Sequence, residues 1–143
     1  FLLLVFLILI QIALGAFVSG LDAGQIYQTW PKMGNTYFPN DLVFDNFTNF
    51  IEFSNHSLVQ FYHRIFAYLI ILYVVFLCIH LFKKKLIYLY KSLKILIFFI
   101  SLQILLGILT LISGLNIHLA SAHQITSVLL VFSALNLYYI RTK

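Results

Sequence analysis

The sequence LVQFYHRIFAYLIILYVVFLCIHLF, residues 58–82, decides the fold of this protein. It contains one Lys, Arg, Asp or Glu residue, Arg64, and it stops at three consecutive lysines that begin at Lys83. A helix needs about 20 predominantly apolar residues to cross the hydrocarbon core of a bilayer. The stretch is long and apolar enough to do so, and it therefore predicts a transmembrane helix.

The composition of the whole chain agrees with a membrane location. Of its 143 residues, 62% are hydrophobic and 9% are charged, whereas soluble domains carry about 45–50% apolar and about 25% charged residues. A soluble domain, a disordered tail and a nucleic-acid-binding protein are therefore excluded. The net charge of +5 is better explained by orientation in a bilayer, and the single cysteine, Cys78, cannot form an internal disulfide.

Three further apolar stretches complete a set of four spans, and they cover about 1–21, 95–113 and 119–140. The first lacks the basic start of a secretory signal and is too long for one, so it is interpreted as a transmembrane helix. We therefore expect an all-α, polytopic membrane protein, a bundle of four transmembrane helices. Because the chain begins at Phe1, inside an apolar stretch, we also expect it to be a fragment of a longer protein.

The charged residues predict the orientation of this bundle, because basic residues are enriched at the cytoplasmic ends of transmembrane helices. Between the second and third spans, or after the fourth, lie Lys83, Lys84, Lys85, Lys91, Lys94, Arg141 and Lys143. At the opposite ends lie all four acids, Asp22, Asp41, Asp45 and Glu52. The long segment 22–57 is thus predicted on the outer side, as an aromatic belt at the membrane interface or as a lid over a substrate.

A short internal repeat indicates how the four helices are paired. The sequence QIALG at 11–15 recurs as QILLG at 103–107, and SGL at 19–21 recurs at 113–115. Each copy is followed by a helix that carries a histidine near its start. The pattern predicts two helical hairpins in parallel orientation, related by an approximate axis along the membrane normal.

Two histidines, His63 and His123, are placed inside the second and fourth spans at nearly the same distance from the outer end. At 1.5 Å per residue, their predicted depth is roughly 6–8 Å. Such a pair favours a haem held by two axial imidazoles. Two other interpretations stay open, a hydrogen bond between helices and a proton relay.

The residues around these histidines have their own alternatives. Arg64 is expected to pair with a haem propionate, or else to reach the interface or pair with Asp22. Glutamines within or near the spans are expected to bond across helices. Small residues at the histidine level either leave space for a porphyrin or let helices pack closely; they are Gly15, Ala67, Gly107, Ala120 and Ser127. The remaining histidines, His56, His80 and His118, are not expected to be ligands.

Three motifs of the chain are specific: AFVSGLDAG at 16–24 with Tyr27, Thr29, Pro31, Lys32 and Met33 after it, LVQFYHR at 58–64, and AHQ at 122–124. They resemble the motifs of heme A synthases of the mitochondrial and related bacterial type. Members of that family have eight transmembrane helices in two similar halves. The resemblance implies that residues 1–143 are the C-terminal four-helix half.

The resemblance also implies a cofactor and an activity. It implies haem b between His63 and His123 as axial iron ligands, near the outer (periplasmic) face, with Arg64 as a further cofactor-binding residue. The family oxidises the C8 methyl of heme O to the formyl group of heme A for cytochrome oxidase assembly. The substrate site would lie in the N-terminal half, so the catalytic residues are unknown and this fragment alone is expected to be inactive.

The expected partners are the lipid bilayer, the missing N-terminal half, an electron donor of unknown identity and, as a candidate, heme O synthase, with no nucleic acid. The expected location is the bacterial inner (plasma) membrane, or the mitochondrial inner membrane if the protein is eukaryotic. Two other functions stay open. One is a bis-histidine membrane cytochrome b that acts only in electron transfer, and the other is a transporter or assembly subunit whose histidines only bond between helices.

Overall fold

The computed structural model describes residues 1–42 and 45–143, so that residues 43–44 of the predicted outer segment lie outside the described residues. Within the described residues, four long helices account for most of the chain: α1 (Leu2–Gly20), α2 (His56–Lys83), α3 (Tyr90–Ile112) and α4 (Ile117–Thr142). Each is long and apolar enough to cross a membrane. The expected all-α, four-helix, multi-pass architecture is confirmed.

The helix starts differ slightly from the predicted ones. An asparagine side chain caps both α2 and α4: Asn55 Oδ1 accepts from the Leu58 amide at 3.1 Å, and Asn116 Oδ1 accepts from the His118 amide at 3.0 Å. Such caps satisfy amides that have no partner within the helix. Helix α3 begins at Tyr90 rather than near 95, because a helix accepts exposed lysines in its first turns that an apolar window excludes.

The helices are arranged in the order α2, α1, α4, α3. Extensive contacts join α1 to α2, α3 to α4, and α1 to α4, so that α1 packs against both histidine-bearing helices. The two hairpins differ in their connections. Residues 113–116 form a tight turn in which Gly114 and Leu115 have φ values of 71° and 63°, whereas the connection between α1 and α2 spans residues 21–55.

The largest cluster of buried apolar residues lies towards one end of the bundle, which we call the lysine end because residues 83–94 and 141–143 are located there, while Ala23, Met33, Leu58 and Val59 are buried near the other end. All four helices contribute to it, with Leu4, Val5, Ile8, Ile70, Val74, Leu77, Leu81, Leu93, Leu96, Ile100, Leu130, Ala134 and Leu137. Between residues 101 and 129, all of which the structure describes, no residue is fully buried. The opposite end, which carries the two histidines, is the histidine end.

The core at the lysine end is held by packing rather than by removal of apolar surface from water, because lipid tails are as apolar as leucine side chains. Among the described residues, one polar side-chain contact there joins two helices. The Asn136 amide nitrogen donates to Ser92 Oγ at 3.1 Å and so joins α4 to α3. Hydrogen bonds between membrane helices contribute about 0.6 kcal/mol on average, so this contact adds modestly to packing.

Candidate functional site

In the first hairpin, which consists of α1 and α2, the side chain of His63 packs against α1. A Cβ added to Gly15 would lie 3.2 Å from His63 Cε1, so only glycine leaves the ring its present place without a shift. One turn earlier, Gln11 Nε2 donates to the His63 carbonyl at 3.0 Å and lies 3.2 Å from the ring Nδ1. Residues four apart share one helix face, and the Gln11–Gly15 face therefore holds the imidazole.

The second hairpin repeats this arrangement around His123. A Cβ on Gly107 would lie 3.1 Å from His123 Cε1, and Gln103 Nε2 donates to the His123 carbonyl at 2.9 Å. The second contact of the amide differs, because Gln103 Nε2 also donates to Thr126 Oγ1. The predicted repeat is thus present in three dimensions, as two copies of a glutamine and a glycine that face one histidine.

The two imidazoles lie at matched depth. His63 is the eighth residue of α2 and His123 the seventh of α4, which places both about 9–11 Å below the helix starts at 1.5 Å per residue. This is about half a turn deeper than the sequence predicts, because both helices begin two residues earlier than predicted. Both residues are half-buried.

The side chains at this site match what a haem iron requires. Among the described residues no cluster of three or more His, Cys, Asp or Glu side chains could hold a metal ion. Two imidazoles are too few for a protein-only metal site but are the usual number for haem iron, to which the porphyrin supplies four nitrogens. In addition, His123 Nδ1 is buried and lacks a hydrogen-bond partner in the described part of the chain. The residues present fit a haem.

The predicted small residues at this level play more than one role. Gly15 and Gly107 contact the imidazoles themselves. Ala67, Ala120 and Ser127 are half-buried in the loosely packed region above the core. The sequence pattern located the glycines but did not reveal that each one accommodates a histidine of its own hairpin.

Arg64 holds the connection between α1 and α2. Its Nη1 donates to the carbonyls of Thr29 at 2.9 Å and Lys32 at 3.2 Å, and its Nη2 donates to the carbonyl of Tyr27 at 2.9 Å. Gln60 Nε2 donates to the same Tyr27 carbonyl at 2.9 Å. Among the described residues, Arg64 thus bonds to backbone carbonyls rather than to Asp22. A contact between Arg64 and a haem propionate stays a prediction.

A second network fastens the same connection to the start of α2. Tyr27 donates to one oxygen of Asp41 at 2.5 Å, and Ser57 donates to the other at 2.5 Å. Burial raises the pKa of Asp41, but the hydrogen bonds from Ser57 and Tyr27 outweigh it and leave the pKa below its ordinary value. Burial, and then the hydrogen bond to Asp41 and its charge, raise the pKa of Tyr27.

The other polar residues behave largely as the sequence suggests. His56, His80 and His118 are exposed, as expected for residues that are not ligands. Gln11 and Gln103 both bond to a neighbouring helix, which confirms that expectation. Sequence reasoning did not anticipate that their partners are the two histidine-bearing turns, although the shared spacing of four residues to a glycine was a visible signal.

Fold and site together define a class, a multi-pass helical membrane protein built from two parallel hairpins that each present one seated histidine. The family whose sequence model is described as "Cytochrome oxidase assembly protein" matches residues 1–135. The chain belongs to this family.

Three relatives illustrate the similarity, and each is named heme A synthase. The chain is 43% identical over 136 residues to that of Pelagibacter ubique (strain HTCC1062), which covers 93% of this chain and 39% of the relative. It is 42% identical over 129 residues to that of Wolbachia pipientis wMel, with coverage of 90% and 35%. It is 38% identical over 133 residues to the heme A synthase of Rickettsia felis (strain ATCC VR-1525 / URRWXCal2), and the match covers 93% of this chain and 39% of the relative.

The chain spans between 35% and 39% of the length of these three curated relatives. No solved structure matches it.

Proposed function

We propose that residues 1–143 form the haem b-binding half of a heme A synthase, in which His63 and His123 would hold the haem iron. The observation that carries the proposal is the seating of both imidazoles. Each stands at the same depth, against a glycine on the preceding helix of its own hairpin. Membership in the cytochrome oxidase assembly protein family supports a haem as the group held there.

The residues of the chain would divide the work of holding this group. The imidazole nitrogens of His63 and His123 would bind the iron, and Gly15 and Gly107 would leave both rings the space to do so. A haem with two histidine ligands supplies one-electron transfer and has no open iron position for substrate or oxygen.

The activity belongs to the whole protein. We propose that it makes heme A, as the names of the relatives suggest, by oxidising the C8 methyl of heme O to a formyl group, as the resemblance to the family implies. Substrate would bind outside these 143 residues, in an N-terminal half, and the present segment alone would be inactive. The lysine end would face the cytoplasm or mitochondrial matrix, so that the histidine end lies at the outer face of the membrane.

Haem content after histidine substitution tests the ligand assignment. The full chain as its gene encodes it should show a low-spin b-type spectrum that His63→Ala and His123→Ala each deplete or alter. His80→Ala and His118→Ala are matched controls, since both residues are exposed, and they should retain the wild-type spectrum. Unchanged six-coordinate haem in both His63→Ala and His123→Ala would contradict the assignment.

Pigment analysis tests the activity. Extracts of cells that supply heme O should contain heme A when the full chain is present, and His63→Ala should lower its yield. A full chain that binds haem b but makes no heme A would favour the electron-transfer cytochrome instead. Heme A made by residues 1–143 alone would show that the substrate site lies within this segment.

A further inference from the structure

The two hairpins share a glutamine but not the contact it makes. In the first, Gln11 Nε2 lies 3.2 Å and 3.4 Å from the two ring nitrogens of His63. In the second, among the described residues, the side chain of Gln103 forms no hydrogen bond with the ring of His123, and its amide nitrogen bonds to a carbonyl and a hydroxyl. The two candidate ligands are therefore held unequally.

One sequence difference accounts for this inequality. A glutamine amide nitrogen has two N–H groups, and in both hairpins one of them binds the carbonyl of the histidine. Three residues after His123 lies Thr126, whose hydroxyl accepts the second N–H. Three residues after His63 lies Phe66, which has no acceptor on its side chain. The second N–H of Gln11 is left for the imidazole.

Two buried polar atoms mark the consequence. Gln11 Oε1 and His123 Nδ1 both lack a hydrogen-bond partner among the residues that the structure describes. An iron-binding imidazole carries its proton on the nitrogen away from the metal and normally donates it to an acceptor. Gln11 Oε1 is such an acceptor on the side chain that already contacts His63. The amide of Gln103 is engaged by Thr126.

We propose that Gln11 is a positioning residue that orients the ring of His63. Because Thr126 engages the amide of Gln103, the ring of His123 has no such partner, and the two histidines would bind iron with different strength. Gln11 Nε2 lies nearer to His63 Nδ1, at 3.2 Å, than to His63 Nε2, at 3.4 Å, which favours donation to Nδ1. With haem bound, the proton that His63 carries on the nitrogen away from the iron would have Gln11 Oε1 as an available acceptor, because this oxygen has no partner among the described residues. The proposal rests on the proposed function, because it concerns the same two histidines.

A matched pair of variants separates this role from a structural one. Gln11→Leu should weaken haem binding about 10–100-fold, as loss of a partner of a metal-bound histidine does. Gln103→Leu removes only a bond between helices and should weaken it about threefold or less. An acceptor on Nδ1–H makes the imidazole a stronger donor to ferric iron, so Gln11→Leu should also raise the midpoint potential, while Gln103→Leu leaves it unchanged.

Thr126→Val provides a test in the opposite direction. It has nearly the same shape but no acceptor, so Gln103 is free to contact His123 as Gln11 contacts His63. We expect a lower midpoint potential and tighter haem binding in the full chain. Nitrogen NMR of the haem-free full chain adds a readout that needs no bound haem: His63 should have its proton fixed on Nε2, and His123 should not.

The outcomes distinguish the two proposals. If His63→Ala and His123→Ala leave haem untouched, the proposed function fails. If both deplete haem but Gln11→Leu and Gln103→Leu have equal effects on the midpoint potential, the ligand assignment stands and the positioning role of Gln11 is refuted. A higher potential in Thr126→Val, or His63 protonated on Nδ1 without haem, would also refute it.

Discussion

Adding one methyl group at Gly15 or Gly107 tests the seating of the histidines most directly. The new Cβ of Gly15→Ala would lie 3.2 Å from His63 Cε1, and that of Gly107→Ala would lie 3.1 Å from His123 Cε1. Both distances are tighter than ordinary contacts, so each ring must move by a few tenths of an ångström.

The expected effect on stability is small because two terms oppose each other. Overpacking of an interior costs about 1–3 kcal/mol. Replacing glycine by alanine inside a helix stabilises it by about 1 kcal/mol. The difference is a destabilisation of about 0–2 kcal/mol. Haem binding should suffer more, since a ligand site tolerates displacements of only about 0.5 Å, and we expect roughly tenfold weaker binding.

The assay compares haem per protein, the low-spin spectrum and resistance to thermal unfolding in the full chain. Gly20→Ala is the control, because nothing lies within 4 Å of the Cβ it would add, and it should match the wild type in all three measurements. Full haem content with an unchanged spectrum in both Gly15→Ala and Gly107→Ala would refute the idea that the imidazoles rest against these glycines.

Three further predictions concern the connection and the orientation. Arg64→Gln should speed proteolysis of the connection severalfold, while Arg64→Lys restores little, because lysine cannot reach three carbonyls with one ammonium; equal rates in wild type and Arg64→Gln would contradict this. Because the pKa of Asp41 is lowered, its carboxylate should stabilise the connection fully above the ordinary pKa of a carboxyl group, and this stabilisation should be lost as pH falls through the lowered pKa. Since Asp41 is exposed, the stabilisation should stay below about 1 kcal/mol. Proteolysis across acidic pH should show this loss, and Asp41→Asn should abolish the pH dependence. In a Cys78→Ser background, a membrane-impermeant thiol reagent should label Asn35→Cys from outside and Tyr88→Cys only from the cytoplasmic or matrix side; the reverse pattern would overturn the orientation.

The sequence was sufficient to predict the four transmembrane spans and their pairing, because both depend on local patterns. Apolar length predicts a transmembrane helix, and the repeated Gln-x-x-x-Gly spacing predicts equivalent hairpins. The start of α3 was less accessible. Lys91 and Lys94 interrupt the apolar pattern but not the helix, since lysine is a good helix former and both side chains are exposed.

The contacts of the site were less accessible because they depend on side chains far apart in the chain. Arg64 lies 32–37 residues from the carbonyls it binds, and no periodicity joins such residues. The unequal contacts of Gln11 and Gln103 follow from one difference, Thr126 against Phe66, which matters only once both amides are known to reach the next helix. Sequence reasoning thus located the histidines and missed what orients them.

The concentration of the core at the lysine end has a consequence for how the bundle opens. Local opening costs least free energy where few side chains are buried, and between residues 101 and 129 none is fully buried. Hydrogen exchange should therefore be fast around His123 and slow around Leu137, which has 0% exposure. Helices α3 and α4 should therefore separate from each other at less cost near His123 than near Leu137.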